Sequence, residues 1–386
     1  MLLRRGSQPK NKRGNSVIGE RLTLQDIQKQ YGLAWAVRDA SVEVAAGEFI
    51  SIVGPSGSGK TTLLTMIAGF EMPTRGTIRV GGKDITFLAP NRRDIGMVFQ
   101  KYALFPHLSV RQNIEFPLRM RNRSQSGSAR ARVDDMLDLV QLRPFADRFP
   151  HELSGGQQQR VAVARALIFG PPVILMDEPL GALDKKLRES MQFEIKRLQE
   201  SLGTTVVYVT HDQDEALTMS DRVAVMRDGR IEQIGRPSEL YSDPKTAFVA
   251  DFLGSINFIP ARLLSRAGDV VTAQIGSGQI VTARLSREDA AGLEAGDALQ
   301  LAVRPEHIGF NAAAAENAVT LEGRLENVVF AGATVMVFVR LCATGQTVRV
   351  QVPSLDLSLP DKGSTVALTL SATTVKAFGG DRGGEA

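Results

Sequence analysis

The sequence predicts an α/β protein with a largely parallel sheet, followed by a smaller all-β domain. Three observations carry that expectation. Strand candidates at 95–99, 173–176 and 205–210, the second of them continuously apolar, alternate with helical patterns at 130–141, 157–169 and 185–202, as buried parallel strands alternate with their crossover helices. A glycine-rich loop at 54–59 separates an apolar strand from a helix. Beyond about residue 240 the chain turns to short strand-like runs parted by glycine-bearing turns.

Taken in order, residues 1–20 hold Arg4, Arg5, Lys10, Lys12 and Arg13 against Glu20 alone, so the net charge of +4 belongs to a basic tail expected to be disordered. The remainder is balanced. A balanced body lacks the excess of phosphate-neutralising Lys and Arg that nonspecific nucleic-acid binding needs, and no nucleic-acid partner is expected. From Leu22 to Ile52 the pattern has period two, with Val42 and Val44 before a turn at Gly47 and Phe49, Ile50, Ile52 and Val53 after it. Residues 60–69 form a helix with Leu63, Leu64, Ile67 and Ala68 on one side. Arg121 to Arg132, rich in Ser, Arg and Gly, is expected to be an exposed connection inside a helical subdomain spanning about 101–165. The first domain is placed at 21–255 and the second at 256–386. Within the second, strands are expected at 270–275, 280–285, 299–304, 335–341, 347–352 and 366–370, and Val348, Val350 and Val352 alternate with polar neighbours. Such spacing suits a small closed or sandwiched β domain of the oligomer-binding (OB) barrel kind.

A length of 386 residues fits two domains, and 43% hydrophobic with 23% charged residues excludes collagen, disulfide scaffolds and wholesale disorder. Cys342 is the sole cysteine, so no intrachain disulfide can form and a reducing compartment is expected. Leu2 and Leu3 lead straight into Arg4 and Arg5, without the apolar stretch of a signal peptide, and no run approaches the roughly 18 apolar residues of a membrane helix. The chain is expected to meet a membrane only through a partner.

Gly54, Pro55, Ser56, Gly57, Ser58, Gly59, Lys60, Thr61 and Thr62 follow an apolar strand and open a helix, the context a phosphate-binding P-loop requires. Without Cβ atoms, Gly57 and Gly59 let backbone N–H groups converge on phosphates at a helix N-terminus. Lys60 would reach the β and γ phosphates, and the Thr61 hydroxyl would take Mg2+. The run Val173 to Met176 ends in Asp177 and Glu178 at the sheet edge where α/β folds bind ligands. Asp177 suits Mg2+, and Glu178, pointing the other way, can face a water attacking the γ phosphate. Leu153, Ser154, Gly155, Gly156 and Gln157 open a second helix. Alone they would read as a Ser N-cap; beside the first loop they are a second anion site for which a monomer has no obvious use.

Together these segments resemble the ATP-binding subunits of ABC transporters: Gly54 to Thr61 their Walker A, Val173 to Asp177 their Walker B, Glu178 their catalytic glutamate, and Leu153 to Gln157 their signature. Gln100 resembles the Q-loop glutamine, Leu183-Asp184 the D-loop, His211 the switch histidine, and Tyr31 the aromatic that stacks on adenine, with Trp35 a weaker candidate. Singly, Gln100, Asp184 and His211 would be taken for surface or core residues. Leu301 to His307, with Arg304-Pro305-Glu306, resembles a segment of the C-terminal OB-like (TOBE) domain of importer ATPases for maltose, sulfate, iron and polyamines. Gly181 departs from the pattern, since many members have Ser there.

The resemblance implies a P-loop NTPase (RecA-like) core and an ATPase working as a homodimer. Each ATP would lie between one subunit's Walker A and the other's signature. It further implies Mg2+ held by Asp177, Thr61 and Gln100, two integral-membrane permease subunits, an external solute-binding protein, and a peripheral place on the cytoplasmic face of the inner membrane. Tyr102 to Leu108 resembles the segment that meets the permease, or is simply a buried turn. The run from Gln100 to Val110, with Phe105, looks closer to the polyamine and iron branches than to the sugar branches, and Asn257-Phe258 looks like the start of the polyamine-type accessory domain, so spermidine and putrescine are favoured ahead of iron(III), with sugar third. A non-transport ABC ATPase or a regulator is the rival from another class.

Overall fold

The computed structural model describes residues 18–121, 127–181, 183–276, 278–286, 293–311, 318–354 and 359–380. Nearly all of the basic tail expected at 1–20, and residues 122–126 of the expected connection, lie outside them. The chain divides into two compact units, Met1–Ser238 and Glu239–Ala386.

The first unit is built on a six-stranded sheet ordered Arg230–Gly235, Arg222–Arg227, Phe49–Val53, Thr205–Val209, Val173–Asp177, Ile95–Val98. All neighbours run parallel except the first pair. Phe49–Val53 and Thr205–Val209 are buried along their whole length, so the period-two pattern expected through Ile52 gives way at Phe49 to a strand covered on both faces. A second, antiparallel sheet joins Ala34–Val44, Leu22–Tyr31, Arg75–Val80 and Lys83–Asp84.

The expected connection up to Arg132 is already helical from Gly127, in the helix Gly127–Leu139. Ala129, Val133, Met136, Leu137 and Val140 are all buried, and their spacing of three and four residues supplies the stripe that fixes it. A helix at Val110–Met120 escaped the sequence reading because Pro117 lies inside it; Ser109 and Gln112 start it with a reciprocal capping box.

In the second unit, Asn257–Ala267, Val270–Ile275, Gln279–Leu285, Lys376–Gly379 and Ala298–Val303 close into a barrel. A five-stranded sheet is ordered Ile308–Phe310, Thr365–Ser371, Ala318–Phe330, Thr334–Leu341, Thr347–Pro353. Val348, Val350 and Val352 point into its core. The division expected at 255/256 falls inside this unit. Buried Arg304 is the physical reason: its Nη1 donates to the carbonyls of Gly254 (3.0 Å) and Ser255 (3.2 Å), and its guanidinium lies 4.1 Å from the Tyr241 ring centre. That arginine ties residues 241–255 to the barrel.

Candidate functional site

Phe49–Val53 runs through the middle of the sheet and delivers the chain to the loop at 54–59. A Cβ added at Gly54 would lie 2.2 Å from the Met226 carbonyl oxygen, and one at Gly59 2.3 Å from that of Ala36. Gly57 and Gly59 have φ of 82° and 98°, so conformation calls for glycine at both, and space calls for it at Gly59 as well. The helix Lys60–Ala68 begins at once, turning its unsatisfied first-turn N–H groups toward the loop. Lys60 Nζ donates to the carbonyls of Gly54 and Pro55, each at 2.8 Å. Burial lowers the Lys60 pKa, and the charges of Glu178 and Asp177 oppose that.

Val173–Asp177 ends in two carboxylates with different surroundings. Burial raises the Asp177 pKa and Glu178 adds to the rise, while a hydrogen bond from Thr61 and the charge of Lys60 oppose it. Glu178 has φ of 42°, and its N–H donates to the Val209 carbonyl at 2.9 Å. Its Oε2 accepts from Gln100 Nε2 at 3.1 Å, and its Oε1 lies 3.1 Å from His211 Nδ1. Three residues far apart in sequence thus meet at one carboxylate.

Two residues beyond Gln100, Tyr102 and Ala103 are both left-handed, with φ of 58° and 45°. Arg165, on the helix Gly155–Leu167, donates to both their carbonyls at 2.7 Å. Sequence reasoning missed this arginine, because a bond to backbone oxygen leaves no trace in the type of its partner. Phe105 packs 4.4 Å from Phe116, ring centre to ring centre, and both line a cleft of about 470 Å3 with Phe70, Phe99, Met120 and Arg165.

Ser154 caps the helix Gly155–Leu167, its Oγ accepting from Gln157 N while Gln157 Oε1 accepts from Ser154 N. Gly155 and Gly156 have a packing reason as well. An added Cβ would lie 3.3 Å from Leu183 at the first and 2.9 Å from Leu187 at the second. Asp184 caps the helix Lys185–Leu202 through Leu187 N at 3.0 Å. At Gly181 a Cβ would meet Glu178 O at an ordinary 3.6 Å, so glycine is not required there. Tyr31 is half exposed at a hairpin end, with its hydroxyl donating to Glu71 and Lys29 Nζ 4.8 Å from its ring centre. Among the described residues, no hydrogen bond or ion pair joins Ser154, Gly155, Gly156 or Gln157 to the loop at 54–62. Lys60, Thr61, Asp177, Glu178, Gln100 and His211 form one group; the helix start at Ser154, expected to be a second anion site, stands apart.

Residues 37–181 match the ABC transporter family and residues 301–378 the TOBE domain. A spermidine/putrescine import ATP-binding protein PotA of Thermobifida fusca is 46% identical over 354 residues, covering 90% of this chain and 91% of the relative. The chain belongs to the ATP-binding subunits of ABC transporters. The PotA of Chromobacterium violaceum is 49% identical over 288 residues, covering 74% of this chain and 78% of that one. Among solved structures, the dimeric post-hydrolysis state of the ATP-binding cassette MJ0796 bound to ADP and Pi has 38% identity and a TM-score of 0.51, covering 56% of this chain and 98% of the other. The family makes the chain an ATP-binding protein and an ATP hydrolase. No helix among the described residues is long and apolar enough to cross a membrane.

Proposed function

We propose that two copies of this chain bind ATP between them and hydrolyse it to power import of spermidine and putrescine, peripheral to the cytoplasmic face of the membrane. The observation that carries the catalytic reading is Glu178, held between Gln100 and His211 one residue beyond Asp177. Lys60 and the N–H groups of residues 57–62 hold the β and γ phosphates, and Tyr31 offers a ring to adenine. The Thr61 hydroxyl, the Asp177 carboxylate and the Gln100 amide oxygen form a hard-oxygen set suited to Mg2+. Asp177 fits that part because burial disfavours its charge, which a bound cation would offset. Mg2+, when bound, would neutralise phosphate charge as the γ phosphoryl group leaves.

Glu178 polarises the attacking water. With His211 Nδ1 turned to Glu178, the ring presents Nε2 to the γ phosphate, so one side chain both orients the carboxylate and steadies developing charge. The opposite face of that phosphate would be met by Ser154, Gly155, Gly156 and Gln157 of the second copy, with Asp184 at the seam. This gives the separate anion site a use, and the dimeric neighbour supports it. The cleft beside Phe105 and Phe116 is an apolar socket for a permease segment, two such permeases and an external solute-binding protein completing the importer.

Cargo rests on likeness to the PotA proteins along nine-tenths of the chain. Deleting the gene and following uptake of labelled putrescine, spermidine, iron(III) and maltose tests it. Loss of polyamine uptake is expected. Unchanged polyamine uptake with lost iron or sugar uptake would assign the chain to another importer.

A further inference from the structure

We propose that Arg188 is a positioning residue that staples the segment before Asp184 to the segment after His211, so that the fit of one subunit against its copy reaches the hydrolytic histidine. The inference rests on the reading of the site given under Proposed function.

Arg188 lies in the first turn of Lys185–Leu202. Its guanidinium works in three directions. One nitrogen, Nη2, donates to the Leu183 carbonyl at 3.1 Å, next to Asp184. Nη1 donates to Asp212 Oδ2 at 2.9 Å, next to His211. Nε lies 3.7 Å from Glu215 Oε1, an ion pair too long for a hydrogen bond.

The His211 side of this staple is rigid. Glu215 is 2% exposed, and its Oε2 accepts from both Tyr208 (2.7 Å) and Thr210 (2.8 Å). Asp212 accepts from Glu215 N at 3.2 Å and its own N–H donates to Thr210 Oγ1 at 2.9 Å. Residues 208–215 are therefore braced on both sides of His211, and a pull on Asp212 moves the histidine with them. On the other side, Leu183 and Leu187 sit against Gly155 and Gly156 closely enough that a Cβ at Gly156 would be 2.9 Å from Leu187. A shift at that helix N-terminus has a packed route through Leu183 and Leu187 to Arg188, and from Arg188 to Asp212.

A merely structural arginine would satisfy the Leu183 carbonyl and the Asp212 carboxylate and affect stability alone. Lysine separates the two roles, because an ammonium keeps the charge beside Asp212 and Glu215 but cannot span the three directions of a planar fork. In the full-length chain we expect Arg188→Lys to keep its melting temperature and its ATP affinity within about twofold by equilibrium dialysis, while kcat falls about tenfold or more and the Hill coefficient for ATP drops toward unity. Arg188→Ala should show the same kcat loss with lower stability. Wild-type kcat and cooperativity in Arg188→Lys would overturn the coupling, as would a loss of ATP affinity matching the loss of turnover. His211→Ala, run alongside, separates the two levels. If it turns over at the wild-type rate, the catalytic reading fails and takes the coupling with it; if it is slow while Arg188→Lys is normal, the coupling alone fails.

Discussion

Replacing Arg93 by Met should cost the first unit a large part of its stability. Arg93 is 3% exposed, and its guanidinium donates to four backbone carbonyls: Leu88 from Nε, Met66 and Ile67 from Nη1, and Thr86 from Nη2, all at 2.7–2.8 Å. Two of these belong to the last turn of Lys60–Ala68, where a positive charge also suits the helix dipole. Gly69 makes the fit possible, since a Cβ there would lie 2.4 Å from Arg93 Nε. Met fills most of the same volume but donates nothing. Met66 O keeps a bond from Gly69 N, which leaves the carbonyls of Ile67, Thr86 and Leu88 stranded. At about 1–3 kcal/mol per stranded buried group the loss is about 3–9 kcal/mol, and water entering beside the shorter side chain brings it to about 3–5. Urea unfolding followed through Trp35, the chain's sole tryptophan and part of the first unit, measures it. A destabilisation below about 1 kcal/mol would refute the idea that these four bonds tie the end of the helix Lys60–Ala68 to residues 86–88.

Other perturbations should separate the parts of the site. Glu178→Gln is expected to keep ATP binding and lower single-turnover hydrolysis by about a hundredfold or more, whereas Lys60→Ala abolishes binding; fast hydrolysis by the former contradicts the role given to Glu178. Ser154→Arg should block hydrolysis while a dilute monomer still binds ATP normally, and a monomer with the binding defect of Lys60→Ala would rule out the shared site. Glu215 predicts a pH effect. Burial raises its pKa above the ordinary 4.5, so between the unfolded and folded values the native state holds more protons and stability falls as pH rises. Subtracting Glu215→Gln from wild type in unfolding experiments should expose that falling limb above about pH 4.5. A difference that grows with pH instead would reverse the sign and disprove the assignment.

What could be read from the sequence was whatever local backbone chemistry writes into residue types. The loop at Gly54–Thr62 needs glycine where φ is positive, and Ser154 with Gln157 is a reciprocal cap; both are visible within a few residues. Glu178 was legible at the end of an apolar run, and Gln100 and His211 only through the resemblance, but their meeting at a single carboxylate depends on the strand order of the sheet, which no short segment records. Arg93, Arg165 and Arg188 were illegible for a related reason. Arg93 and Arg165 bond carbonyls, and a carbonyl looks the same beneath every side chain; Arg188 adds the Asp212 carboxylate, which only the fold brings near. The helix at Val110–Met120 was hidden by Pro117, and the strand Arg222–Arg227, adjoining Phe49–Val53, was overlooked beside the stronger apolar runs.

The backbone angle at Glu178 has a consequence for how the protein responds to selection. At φ of 42° an ordinary side chain pays a conformational penalty of about 1 kcal/mol or more that glycine escapes. On the role proposed for Glu178, a search for heat-tolerant variants that ignores transport would meet glycine at 178 as relief of backbone strain and, with it, a protein that binds nucleotide but does not turn it over. Robustness and turnover pull apart at that one torsion, so the residue kept there is a marker of work done by the living importer.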